Sequence, residues 1–285
     1  MSLHYWFMFP ISILIATVAM ASAVEGATFF TPLFILALGL PPEIAIGTGL
    51  ITEVFGFASG LIAYSRKKLI DYRLGGRLLM LSIPLALLGT FLSGVVASDI
   101  LKTLLGMGLL VIAITFLRNP ESAEIKVLDN FIKDEMGGPD AETCLITREG
   151  EEIRYTVCNR TEGGFIAAIG GLFIGMISTG LGELNGYFLL QRCRVPSRVA
   201  VATGVLVVAV TALTASIGHF VHFIYSGHET LMTVLNLVIF TVPGVIIGGQ
   251  LGSFISSRIP QRILELSLAI LFIIVAIFTL GDVIF

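Results

Sequence analysis

Three glutamates stand inside or beside otherwise apolar sequence: Glu25, Glu53 and Glu183. An ionised group at membrane depth is expensive, so a carboxyl there normally faces a wet or protein-lined cavity. Glu53 lies about ten residues into its apolar run, near mid-depth, where it is cheapest in its neutral form. Such a group is a candidate for proton coupling, since it can exchange its proton when the cavity hydrates. A neutral Glu that only bonds a neighbouring helix is the plainer role. Glu25 and Glu183 stand where glycine breaks the apolar sequence. Glu183 is the second proton-coupling candidate, or equally a capping carboxylate favoured by the dipole at a helix N-terminus.

The breaks are Gly26-Ala27-Thr28 and Gly180-Leu181-Gly182-Glu183-Leu184-Asn185-Gly186. Glycine lets backbone approach a ligand closely, and free N–H groups at a helix start point toward anions. Thr28 and Asn185 add side-chain donors. Gly26, Thr28, Gly182 and Asn185 are therefore candidate contacts for a small anionic substrate; close helix packing is the competing use of the glycines. Thr48 and Thr203 complete the candidate set. Each follows a proline, Pro41 or Pro196, by seven residues, a helical rise of about 10 Å that carries the hydroxyl below the interface. A mid-helix Thr also commonly bonds the carbonyl four residues back.

What is missing narrows the chemistry. No Lys or Arg lies mid-way along an apolar run, so an anion must be held by dipoles, hydroxyls and amides. Nothing resembles a cation filter, a nucleotide loop, a His-Glu-x-x-His zinc motif or a Gly-x-Ser-x-Gly elbow. No enzyme activity, cofactor, metal or nucleic-acid partner is expected. His219, His222 and His228 read as surface histidines at the outer end of a span. Cys144 and Cys158 read as facing each other across a hairpin, with Cys193 a single thiol.

The elements that must position these residues are membrane spans. The chain is 285 residues, 55% hydrophobic and 13% charged, where a soluble domain carries roughly 25% charged residues. Apolar runs fall at 5–24, 30–39, 43–64, 73–96, 100–117, 164–180, 184–191, 198–225, 231–254 and 262–281. Crossing takes about 20 helical residues, so 30–39 and 184–191 are too short and read as second arms of re-entrant hairpins. Residues 164–209 repeat 9–54: Pro41 to Leu50 returns as Pro196 to Val205, and Pro84 with Gly89 returns as Pro243 with Gly248. The predicted fold is an all-α polytopic membrane protein of two inverted repeats, each a re-entrant helical hairpin plus three transmembrane helices. Its parts are 1–117, the N-terminal repeat; 118–163, a small cytoplasmic insert; and 164–285, the C-terminal repeat.

Charge sets the orientation. Arg66, Lys67, Lys68, Arg73 and Arg77 crowd one loop, which should be cytoplasmic. The insert, Arg192, Arg194, Arg198, Arg258 and Arg262 follow to the same side, leaving both termini outside. The insert holds eleven of the twenty acidic residues. A short helix is expected at Pro120 to Lys133, and a β-hairpin from Thr143–Ile146 and Ile153–Cys158 turning near Gly150.

The run Gly180-Leu181-Gly182-Glu183-Leu184-Asn185, then Arg192-Cys193-Arg194-Val195-Pro196 and Arg198 to Thr203, resembles the sulfite exporter TauE/SafE family of prokaryotic membrane proteins. Gly26 to Pro32 and Pro41 to Thr48 give a weaker first copy, with Ala27 and Thr28 replacing glycines and Gly49 and Gly204 standing where Ser is usual. The resemblance implies a multi-pass transporter of the prokaryotic inner membrane that exports sulfite, an organosulfonate or a related sulfur-containing anion. Inverted repeats imply alternating access. The expected function is thus secondary transport of such an anion, with a passive anion channel or a membrane receptor or scaffold as alternatives.

Overall fold

The computed structural model describes residues 5–22, 25–118, 143–255 and 261–284. The first part of the chain forms α1 (Met8–Ser22), α2 (Ala27–Leu36), α3 (Pro42–Arg66), α4 (Tyr72–Ser93) and α5 (Ser98–Arg118). Strands β1 (Thr143–Ile146) and β2 (Glu152–Tyr155) follow. The remainder forms α6 (Arg160–Ile177), α7 (Leu181–Gly186), α8 (Ser197–Ser226), α9 (His228–Ile255) and α10 (Gln261–Ile284). A π-helical turn, Tyr187–Arg192, continues α7.

Among the described residues, six helices are long and apolar enough to cross a bilayer: Pro42–Arg66, Tyr72–Ser93, Ser98–Leu117, Ser197–Ser226, His228–Gly252 and Leu266–Val283. Large apolar side chains cover their outer surfaces, among them Met80, Phe91, Ile277 and Phe278, as lipid solvation requires. The protein is a polytopic all-α membrane protein.

Local chemistry sets the helix ends. Pro42 opens α3 at a position where a missing N–H costs nothing. Asp71 caps α4, accepting from Arg73 N and Leu74 N at 2.9 Å each. Asn159 caps α6 by accepting from Glu162 N. At the other end of α6, Ser178 takes the left-handed conformation (φ 59°) and Gly180 follows at φ 107°, so the chain turns sharply into α7.

The helices pack in matched pairs. α1 lies on α9 as α6 lies on α4, α3 lies on α9 as α8 lies on α4, and the pairs α3–α8 and α5–α10 complete the bundle. A side chain at Gly89 would collide with the Leu172 carbonyl, and one at Gly248 with the Ile13 carbonyl. Small residues there let the helix backbones touch. Two buried hydroxyl pairs bridge helices: Ser82 of α4 with Thr211 of α8, and Thr52 of α3 with Thr241 of α9, both at 2.9 Å.

Several boundaries move. The first short arm is Ala27–Leu36, beginning directly after Gly26 with Pro32 inside it, so it starts three residues before the apolar run suggests. The second begins at Leu181 rather than 184. The expected helix at Pro120 to Lys133 lies outside the described residues. The hairpin exists, but its second strand ends at Tyr155, and Cys144 faces Arg154. Cys158 instead forms a disulfide with Cys193 (Cα–Cα 5.0 Å), leaving Cys144 free and exposed. The pairing corrects the sequence expectation because Cys158 lies beyond the strand, where the chain runs back to the start of α8. The hairpin seats on the membrane part through Arg148 N to the Lys67 carbonyl (3.1 Å), Arg198 to Glu151 (2.8 Å) and Tyr155 to Asp71 (2.7 Å).

Candidate functional site

The two glycine breaks meet. Thr28 at the start of α2 bonds Thr179 in the break before α7 (2.9 Å), and Thr31 bonds Ser178 (2.6 Å). Gly182 N donates to Glu25 Oε1 at 2.6 Å. All four hydroxyl side chains are buried, as are Glu25 and Glu53 at 3% exposure each. The contacts of this junction fall about half-way along the long helices around it. A Cβ on Gly26 would stand 3.7 Å from Glu53 Oε1, and Glu53 is central in α3. One on Gly108, central in α5, would meet Ile177 and Thr179. Phe29 packs on Phe272, central in α10, with ring centroids 4.9 Å apart.

Here the positive ends of α2 and α7 come together, which is the arrangement that favours negative charge. Carboxyl groups of the chain itself stand there. Glu25 lies close enough to Glu183 and Glu53 to interact electrostatically with both, and among the described residues no basic side chain acts on it. The Gly26 and Ala27 amides approach the Glu53 carboxyl without completing a well-formed hydrogen bond to either oxygen. Glu25 Oε2, Glu183 Oε2 and both polar atoms of Asn185 are also buried without partners. Orphaned buried polar atoms are rare and costly, and these gather on the elements that form the two breaks. Among the described residues no three His, Cys, Asp or Glu side chains converge into a metal-binding group.

Of the residues singled out by sequence, the structure brings Gly26, Thr28, Gly182 and Glu53 to this junction. Asn185 and Glu183 are one turn or less along α7 from Gly182. Thr48 and Thr203 are both fully buried but engaged elsewhere. Thr48 donates to the Ile44 carbonyl (2.7 Å), and Thr203 accepts from Asp71 N (3.0 Å), at the start of α4. Thr52, one turn beyond Thr48, bonds Thr241 of α9. His219 is buried, not on the surface: its Nε2 lies 2.9 Å from the Gly175 carbonyl of α6. An open cleft of about 680 Å³ lies elsewhere, at the basic end of the bundle, lined in part by Tyr64, Lys67, Arg148 and Arg198.

The family profile for the sulfite exporter TauE/SafE proteins matches residues 8–279. The chain belongs to the sulfite exporter TauE/SafE family. As a TauE/SafE protein it is a membrane transporter and not an enzyme. It is similar to the probable membrane transporter protein YunE of Bacillus subtilis (strain 168), 24% identical over 257 residues, covering 88% of this chain and 86% of that one. The probable membrane transporter protein YjnA of the same organism is 27% identical over 258 residues, covering 85% and 88%. The probable membrane transporter protein ORF9 of a Sinorhizobium species is 28% identical over 104 residues, covering 36% and 40%. No solved structure gives a significant match.

Sequence reasoning passed over Thr31, Ser178 and Thr179, whose hydroxyls join the breaks of this TauE/SafE chain. The signal was present: Ser178-Thr179 immediately precedes Gly180, and Thr31 follows Thr28 by one helical turn. It gave Glu25 no separate role, because the partner of its carboxyl lies 157 residues away.

Proposed function

We propose that this protein exports a small sulfur-containing anion, sulfite, a sulfonate or a relative, by alternating access between two inverted repeats. The observation that carries the reading is the junction of the two glycine breaks at mid-length of α3, α5 and α10. Re-entrant hairpins α1–α2 and α6–α7 account for it, since irregular backbone is tolerated at membrane depth only where protein or a wet cavity covers it. The matched helix pairs support the inverted repeat. Two halves of opposite orientation supply two equivalent gating states around one central site.

In this reading the anion sits between the hairpin tips, held by Gly26, Thr28, Gly182 and Asn185. Thr48 and Thr203 are the outer candidates, their hydroxyls released when the neighbouring helices shift. Glu53 and Glu183 couple transport to protons. On the same reading, the buried threonine pairs close the two tips on one another between transport steps. The insert and the basic loops face the cytoplasm of a prokaryotic cell, both termini face outward, and the protein resides in the inner membrane.

The test is sulfite flux into proteoliposomes. Saturable flux with counterflow is expected; linear, non-competable flux identifies a channel, and flux kept after deleting most of 121–160 argues against a receptor or scaffold. Normal transport at every pH by Glu53→Gln removes that residue from coupling. Orientation is read separately from exposed Cys144: an impermeant maleimide labels it only after lysis if the insert is cytoplasmic.

A further inference from the structure

We propose that Glu25 is a built-in competitor for the transported anion, holding the substrate's place on the Gly182 amide until it takes up a proton. The inference rests on the anion site proposed above and deepens it. Glu25 Oε1 already accepts the Gly182 hydrogen bond at 2.6 Å, the bond that the incoming anion needs. A charged hydrogen bond of this kind is short and strong, so a second anion cannot add to it without displacing it.

The surroundings make displacement by a proton the workable route. The ionisable groups facing Glu25 are Glu183 on α7 and Glu53 on α3, and both are acidic. Glu53 is 3% exposed and lies against the Gly26 and Ala27 amides without a well-formed hydrogen bond. Asn185, fully buried, has neither its amide nor its carbonyl paired. An anion placed beside an ionised Glu25 would meet a second negative charge and an occupied amide. Protonated, Glu25 loses its charge and becomes a donor, so the Gly182 amide, the Asn185 side chain and the Glu25 hydroxyl all become available to one oxyanion. Binding of the anion and binding of a proton are then linked, and each strengthens the other by the same factor. The anion-loaded carrier then also holds a proton, and the outward anion gradient drives their joint export.

The experiment uses the purified full-length protein with sulfite, thiosulfate and sulfoacetate as probes. Affinity is measured across roughly pH 5.5 to 8.5 for the wild type and Glu25→Gln, and proton uptake on anion addition is followed in weak buffer with a pH dye. Comparing the two proteins with the same probe cancels the probe's own titration. The expected result is one proton taken up per anion by the wild type. Its affinity should fall by up to about tenfold per pH unit relative to Glu25→Gln, which binds without proton uptake. Wild-type binding without proton uptake beyond the probe's own overturns the proposal, and this arm needs no variant to fold. Identical pH profiles in the two folded proteins overturn it equally, while leaving the anion site in place. Failure of both proteins to bind any of the three probes removes the anion site and the proposal with it.

Discussion

The two glycine breaks meet at one junction and are built differently. The first brings side chains: Glu25, Thr28 and Thr31 reach out from ordinary right-handed backbone, with Gly26 at φ −64°. The second brings a backbone amide, from Gly182, beside the Ser178 and Thr179 hydroxyls, on a turn where Ser178 and Gly180 are left-handed. A pair of identical breaks would have put two amides or two carboxylates face to face. The difference between the breaks makes substitutions at Gly26 and Gly182 unequal.

The largest effect expected is at Gly182. A Cβ there would stand 2.6 Å from Glu25 Oε1, displacing the carboxylate and obstructing the amide. Gly182→Ala should lower sulfite flux in proteoliposomes by on the order of 10²-fold, the scale of losing a well-placed ligand contact. At Gly26 the nearest atom to a new Cβ is 3.7 Å away, an ordinary contact on helix-compatible backbone. Gly26→Ala should therefore lower flux less than Gly182→Ala, since no junction atom has to move. Equal losses at both positions would mean that the breaks do the same work.

A second contrast lies at the starts of α4 and α9. Asp71 caps α4 and accepts the Tyr155 hydroxyl at 2.7 Å, tying the hairpin to the bundle. The corresponding turn before α9 is Gly227, with φ 117°, and carries no such tie. Tyr155→Phe should cost about 1.5–3 kcal/mol, as for a hydrogen bond to a charged group, read from thermal unfolding in detergent. Burial, and then its bond to Asp71, holds the Tyr155 phenol above its ordinary pKa. The stabilisation is therefore intact below the unfolded value of about 10 and is lost as pH rises beyond it. Tyr155→Phe should abolish that alkaline loss.

The matched threonines show what sequence can and cannot reveal. Repeat position marked Thr48 and Thr203 as equivalent, and burial of both agrees with helices facing inward. Their hydroxyl partners were not legible. Thr48 uses a carbonyl of its own helix, whereas Thr203 receives an amide from a turn 132 residues away. The six long helices followed from hydropathy alone, because each needs only enough apolar length to cross. The meeting of the breaks depended on two short arms converging, a tertiary fact that no local pattern encodes. The Cys158–Cys193 disulfide escaped for the same reason. Thr203→Val should destabilise by about 1–3 kcal/mol by orphaning the Asp71 amide. Thr48→Val should change stability by less than about 1 kcal/mol, since only a local back-bond is lost. A rise in KM for sulfite in both variants, with stability untouched, would instead mark both hydroxyls as substrate ligands.

The smallest effects separate Gly49 from Gly204, the residues that directly follow those threonines. A Cβ on Gly49 would come 2.8 Å from Thr31 Oγ1, whose hydroxyl bonds Ser178 across the junction. Gly49→Ala must push Thr31 aside, and overpacking of this kind costs about 1–3 kcal/mol. At Gly204 a Cβ meets nothing within 4 Å. There alanine keeps its helix-propensity advantage, about 1 kcal/mol in water, and no clash offsets it. Gly204→Ala should be neutral to slightly stabilising, with flux unchanged. The pair thus tests whether the first repeat, through Thr31, carries the side-chain half of the closed junction. Loss of stability at Gly204 and not at Gly49 would reverse that assignment.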